Sequence, residues 1–99
     1  MLNINKVQND TELTFALEGR LDTITAPQFE TEIKENIEGI TALVIDCEKL
    51  EYISSAGLRV LLSAQKLMNE RGTMVVRKVS EEVMEIFEVT GFSDILTIE

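Results

Sequence analysis

The chain has 99 residues, 44% hydrophobic and 27% charged, which fits one globular domain over 1–99 with a single core. Histidine is absent and Cys47 is the only cysteine, which excludes Ser-His-Asp and Cys-His catalysis, Cys-rich zinc sites and internal disulfides, and the absence of tryptophan with only 5% aromatics argues against a base-stacking platform. A net charge of −9 argues against nucleic acid or anionic lipid as a partner and, with the lone thiol, for an acidic cytoplasmic module that meets other proteins.

The N-terminal residues Met1 to Lys6 lack the basic and apolar regions of a signal peptide. No apolar run approaches the roughly 20 residues that span a bilayer, so direct membrane insertion is not expected. Leu2 to Val7 reads as a weak strand. Leu13, Phe15 and Leu17 alternate with Glu12, Thr14 and Ala16, the period of a half-buried strand. Gln8-Asn9-Asp10 has turn chemistry, so the two strands form a hairpin, which Gly19 ends. Thr25 then caps a helix, with Pro27 in its first turn and Gln28 placed as in a capping box. Phe29, Ile33 and Ile37 recur at helical spacing, and Gly39 is the stop.

Ala42-Leu43-Val44-Ile45 is a short continuous apolar run ending in Asp46, as in a central parallel strand. After a loop, Ser54-Ser55 opens a long helix to about Arg71. Arg59, Ser63, Lys66 and Glu70 form its wet stripe, and Leu58, Leu61, Leu62, Ala64, Leu67 and Met68 its apolar face. Gly72 stops it. Met74 to Val76 begins another strand. Ser80, Glu81 and Glu82 open a third helix that turns Val83, Ile86 and Phe87 inward, with acids matched to the helix dipole. Gly91 closes it, and Ile95 to Ile98 forms a last strand. Alternating strands and helices predict an α/β domain: a mixed, mostly parallel sheet with an N-terminal antiparallel edge hairpin, packed with three helices.

The stretch that carries functional information is Asp46 to Leu62. Ser54 and Ser55 stand where a loop becomes a helix after the central strand, the end of an α/β sheet where functional groups gather. A helix N-terminus offers free amides and partial positive charge, so phosphate on a hydroxyl there is well solvated. Serine is also a preferred capping residue, and Gly57 also suits close helix-to-sheet approach. Ala56 and Gly57 leave the two hydroxyls unshielded.

Tyr52-Ile53-Ser54-Ser55-Ala56-Gly57-Leu58 resembles the phosphorylation loop of STAS domains, in particular the anti-sigma-factor antagonists, whose usual pattern is Asp-Ser-Ser/Thr-Gly-Leu. Gly19-Arg20-Leu21-Asp22 is similar to the family's Gly-x-Leu-Asp. Val44-Ile45-Asp46, with Leu50 and Tyr52-Ile53, is similar to its central strand and following loop. The resemblance implies a STAS-like fold and a non-enzymatic switch with no cofactor. It implies phosphorylation of Ser55 by a serine kinase that is also the anti-sigma factor. That kinase would be bound when the chain is unphosphorylated and released when it is phosphorylated, with a phosphatase resetting the cycle. Ser54 stands where the family has aspartate and is an alternative acceptor; Ala56 stands where it has a second Ser or Thr. The implied partner-binding residues are Asp22, Ile53, Ser54, Ala56, Gly57 and Leu58, and Arg59, one turn into the helix, is the exposed residue expected to touch the partner. An alternative within the family is a scaffold subunit of a membrane lipid or anion transport complex.

Asp46 is expected to cap the loop before Leu50 rather than to accept phosphate, by the local hydrogen-bonding habit of aspartate. Asp22 is read as shaping the site beside Ser55 or as a turn residue. Cys47 is expected to be packed and unreactive.

Overall fold

The computed structural model describes all 99 residues. Strands β1 (Leu2–Asn9) and β2 (Glu12–Leu21) form the antiparallel hairpin, in register from Leu2 opposite Gly19 to Asn9 opposite Glu12. Helix α1 (Ala26–Asn36) leads to β3 (Ala42–Ile53), and α2 (Ser55–Arg71) leads to β4 (Thr73–Arg77). Then come α3 (Glu81–Thr90) and a single 3-10 turn at Phe92–Asp94. The sheet order is β1-β2-β3-β4, with β2, β3 and β4 mutually parallel.

Each parallel crossover steps in the same direction across the sheet, so the right-handed rule places the helices on one face. That face carries Leu13, Phe15, Leu43, Ile45, Met74 and Val76, all at most 2% exposed. Phe29 of α1 meets Phe15 edge to face, with ring centroids 5.4 Å apart. Val83 and Phe87 of α3 join the same cluster, whereas Val44, on the other side of β3, does not. Burying each large apolar side chain contributes about 1.5–3 kcal/mol, so this layer holds the sheet and helices together.

Three expectations are corrected. β2 does not end at Gly19 but runs on to Leu21, and β3 does not end at Asp46 but runs on to Ile53. Two register shifts explain why: β3 carries one extra residue between Asp46 and Lys49 and another between Leu50 and Tyr52. A bulge breaks the apolar-polar alternation that marks a strand. The expected last strand is reduced to one bridge, Val76 to Ile98, with Val76 N donating to Thr97 O and Glu99 N to Val76 O. The 3-10 turn holds the chain back until Leu96, so that Thr97 to Glu99 meets β4 at Val76 alone.

Candidate functional site

β2 and β3 end side by side, with Leu21 opposite Ile53. Each strand then turns into a helix, so the loop Asp22–Thr25 and the junction at Ser54 meet at the carboxyl edge of the sheet, where α/β folds build sites. Ser54 N donates to Leu21 O at 2.9 Å, which ties the two turns together.

The first turn is fixed by Asp22. Its Oδ1 accepts from Ile24 N and Thr25 N, each at 3.0 Å. The Thr25 amide is the main cause that holds the Asp22 carboxyl below the ordinary aspartate range; partial desolvation opposes it, and the Thr25 hydroxyl and Ile24 amide reinforce it. The loop therefore keeps these bonds to a lower pH than an ordinary aspartate would allow, and loses them as pH falls further. Thr25 does not cap α1 through its hydroxyl, contrary to the capping-box pattern. Its Oγ1 instead accepts from Asp22 N at 2.8 Å and donates to Arg20 O at 2.7 Å, bridging the end of β2. Arg20 lies 4.3 Å over the Tyr52 ring and 3.9 Å from Asp22 Oδ2. Thr25→Val keeps the shape and removes the hydroxyl from both part-buried backbone groups. It is expected to cost about 1–3 kcal/mol, read by urea unfolding.

This turn projects Ile24 into solvent at 87% exposure. Sequence reading missed it. Its signal is an isoleucine off the Phe29, Ile33 and Ile37 stripe, inside the otherwise polar Asp-Thr-Ile-Thr loop.

The two serines separate in the second turn. Ser54 is half-buried with extended backbone, and its Oγ accepts from Gly57 N at 3.5 Å, so it is the N-cap of α2. Ser55 is the first helical residue and is exposed, and no hydrogen bond engages its hydroxyl. The N-terminal amides of α2 lie beside it, a setting that favours negative charge. Ile53, Gly57 and Leu58 are buried, so they support the loop from beneath and present no side chain to a partner. Half-buried Ala56 and exposed Arg59 face outward. They line an open groove of about 320 Å³ between the helices, with Thr23, Ala26 and Pro27 on its α1 side.

Asp46 lies elsewhere, on the sheet face away from the helices. Its Oδ1 accepts from Glu48 N at 3.0 Å, the expected local bond, but inside the first β3 bulge rather than in a loop. Its other oxygen is 3.9 Å from Lys78 Nζ. Next to it, Cys47 is wholly buried, and its thiol is pushed up to about 12, first by desolvation and then by the Asp46 charge. Native protein at pH 8 is expected to leave a disulfide-exchange thiol reagent unreacted, and urea-unfolded protein to titrate one thiol per chain. Above the ordinary thiol range the unfolded chain loses this proton and the folded chain keeps it, so stability falls as pH rises there.

The STAS domain profile matches residues 3–99. BtrV of Bordetella bronchiseptica is 36% identical over 98% of this chain and 84% of its own length. An anti-sigma-B factor antagonist of Listeria monocytogenes is 32% identical over 99% of this chain and 89% of its own. The crystal structure of an anti-sigma factor antagonist from Mycobacterium paratuberculosis superposes with a TM-score of 0.89 at 21% identity, covering 99% of this chain and 85% of that one. With the mixed sheet, its one-sided helix layer and the serine loop at its carboxyl edge, these likenesses place the chain in the STAS domain family.

Proposed function

We propose that the chain is an anti-sigma factor antagonist that binds an anti-sigma factor with serine-kinase activity, and that phosphate on Ser55 gates the binding. The observation that carries this reading is the division of labour between the serines. Ser54 is half-buried and spends its hydroxyl on Gly57 N, whereas Ser55 is exposed with a free hydroxyl at the helix N-terminus. The Listeria monocytogenes relative, named an anti-sigma-B factor antagonist, supports the partner class.

In the unmodified state the loop offers small and apolar groups, Ile24, Ala56 and the Ser55 hydroxyl, with Arg59 as the charged neighbour. This surface can be desolvated by a partner at little cost. Phosphate adds about −1.5 to −2 charge and three acceptor oxygens at its centre. Taking that dianion out of water costs several kcal/mol unless the partner supplies matched cations. The phosphorylated chain is then released into the cytoplasm, and a phosphatase restores the hydroxyl. The chain is the substrate of this chemistry rather than its catalyst.

The test is calorimetric titration with the anti-sigma kinase of the same organism. With ADP, a stable complex is expected. With ATP, the complex should decay as phosphate accumulates, while the Ser55→Ala complex persists. A scaffold subunit of a membrane transport complex would instead assemble equally well with Ser55→Ala and Ser55→Asp.

A further inference from the structure

The two edges of the sheet are unlike. At the β4 edge, Thr97 to Glu99 folds over Val76 and takes up its backbone groups. The β1 edge is bare over eight residues. Arg20 N donates to Met1 O at 3.1 Å, and Met1 lies opposite Arg20 by the hairpin register. Hydrogen-bonded pairs alternate in an antiparallel ladder. Met1, Asn3, Asn5, Val7 and Asn9 therefore turn their backbone groups toward β2. Leu2, Ile4, Lys6 and Gln8 turn theirs outward.

Edges are normally protected by proline, a bulge or outward charge. β1 has no proline, and its register runs unbroken. Its one charged side chain, Lys6, reaches to Asn36 Oδ1 at 2.9 Å rather than standing off the edge. The chain carries 18 acidic residues, and none precedes Asp10. β4 has no acid either, but Thr97 to Glu99 lies along it, so β1 is the uncovered edge that a second copy, itself at −9, can approach without meeting carboxylates on the facing strand.

We propose that two copies of the chain pair antiparallel through β1, centred on Asn5, joining their four-stranded sheets into one. This register places Ile4 opposite Lys6 and Leu2 opposite Gln8 of the second copy, so every outward backbone group finds a partner. Sliding by two residues in one direction sets Lys6 against Lys6, and in the other leaves Gln8 unpaired. On the helix-free face, Asn5 meets Asn5, and Val7, 64% exposed, meets Asn3. Ser55 lies at the carboxyl edge of β2 and β3, so both serine loops stay open in the pair.

The register makes a position-specific test. Asn5 occupies a non-hydrogen-bonded pair, whose Cα atoms lie about 4.5 Å apart, within disulfide reach. Asn3 would lie about 14 Å from its counterpart, four residue steps away, beyond reach. On oxidation, Asn5→Cys is expected to give mostly cross-linked dimer on a non-reducing gel and Asn3→Cys almost none. Light scattering on the wild type at sub-millimolar concentration should give about twice the chain mass of 11.1 kDa. Lys6→Pro removes an outward N–H and leaves the β2 ladder intact, so it should retain its circular dichroism and scatter as a monomer. A monomeric wild type at that concentration, or equal cross-linking at the two cysteine positions, overturns the pairing.

Discussion

Ser55→Asp is expected to weaken binding to the anti-sigma kinase by about 100-fold or more, because burying an unmatched carboxylate costs several kcal/mol and each ~1.4 kcal/mol is a factor of ten. The same substitution should leave the free chain as stable as before or slightly more so. An acid in the first turn of a helix gains about 0.3–1 kcal/mol from the dipole and free amides. Both effects favour the free chain, and the larger one lies in the interface. Calorimetry gives the affinity and a melting curve gives the stability. Ser54→Ala should show the opposite split. It loses the cap, about 1 kcal/mol of stability, and keeps its affinity, because that hydroxyl serves α2 rather than a partner.

Gly57→Val is expected to be the most damaging single change near the site. A Cβ at Gly57 would lie 2.8 Å from Ile53 Cγ1, 2.8 Å from Leu21 Cγ and 2.9 Å from Leu21 O. The first two atoms lie close to the backbone in buried side chains, and the third is the backbone acceptor of Ser54 N. None can move without disturbing the joined turns. Overpacking of this kind costs about 1–3 kcal/mol for a small addition, and alanine recovers up to ~1 kcal/mol of that through its helix propensity. Gly57→Ala should therefore lose about 1–2 kcal/mol. Gly57→Val adds two methyl groups with no such compensation and should lose about 3 kcal/mol or more. For a domain of this length each kcal/mol is worth roughly 4–8 °C in Tm. An unchanged Tm for Gly57→Val would contradict the close packing of α2 on the strand ends.

The helices were legible because their signals are local and redundant. Phe29 and Ile33 sit where periodicity puts them, facing the core. Ser80 caps α3 by accepting from Val83 N at 3.3 Å, and Gly91 ends it in the left-handed conformation at φ 81. The second half of β3 was hidden because its pairing with β2 depends on two bulges. Glu48, Lys49 and Glu51 fall at or beside them and read as loop when alternation is the guide. The last strand was over-read because Ile95 to Ile98 has strand composition, whereas its pairing depends on where the 3-10 turn releases the chain.

At the site, the tandem serines stood out by position, since either can cap a helix. Only the backbone of Ser54, extended and turned toward Gly57 N, assigns the cap and frees Ser55. The capping role expected of Thr25 fails for a similar reason, whereas Asp22 takes the turn role expected of it. Both are capping residue types, and the loop uses the aspartate to gather amides and the threonine to close β2. The exposure of Ile24 follows from that turn, and its polar neighbours are the one local signal of it.

The most direct measurement is the site of phosphate after incubation with the anti-sigma kinase and ATP, mapped by tandem mass spectrometry and read beside loss of the complex. The switch predicts phosphate on Ser55, none on Ser54, and release in proportion to it. A chain that is released without phosphate, or one that carries phosphate on Ser55 and stays bound with undiminished affinity, would contradict it.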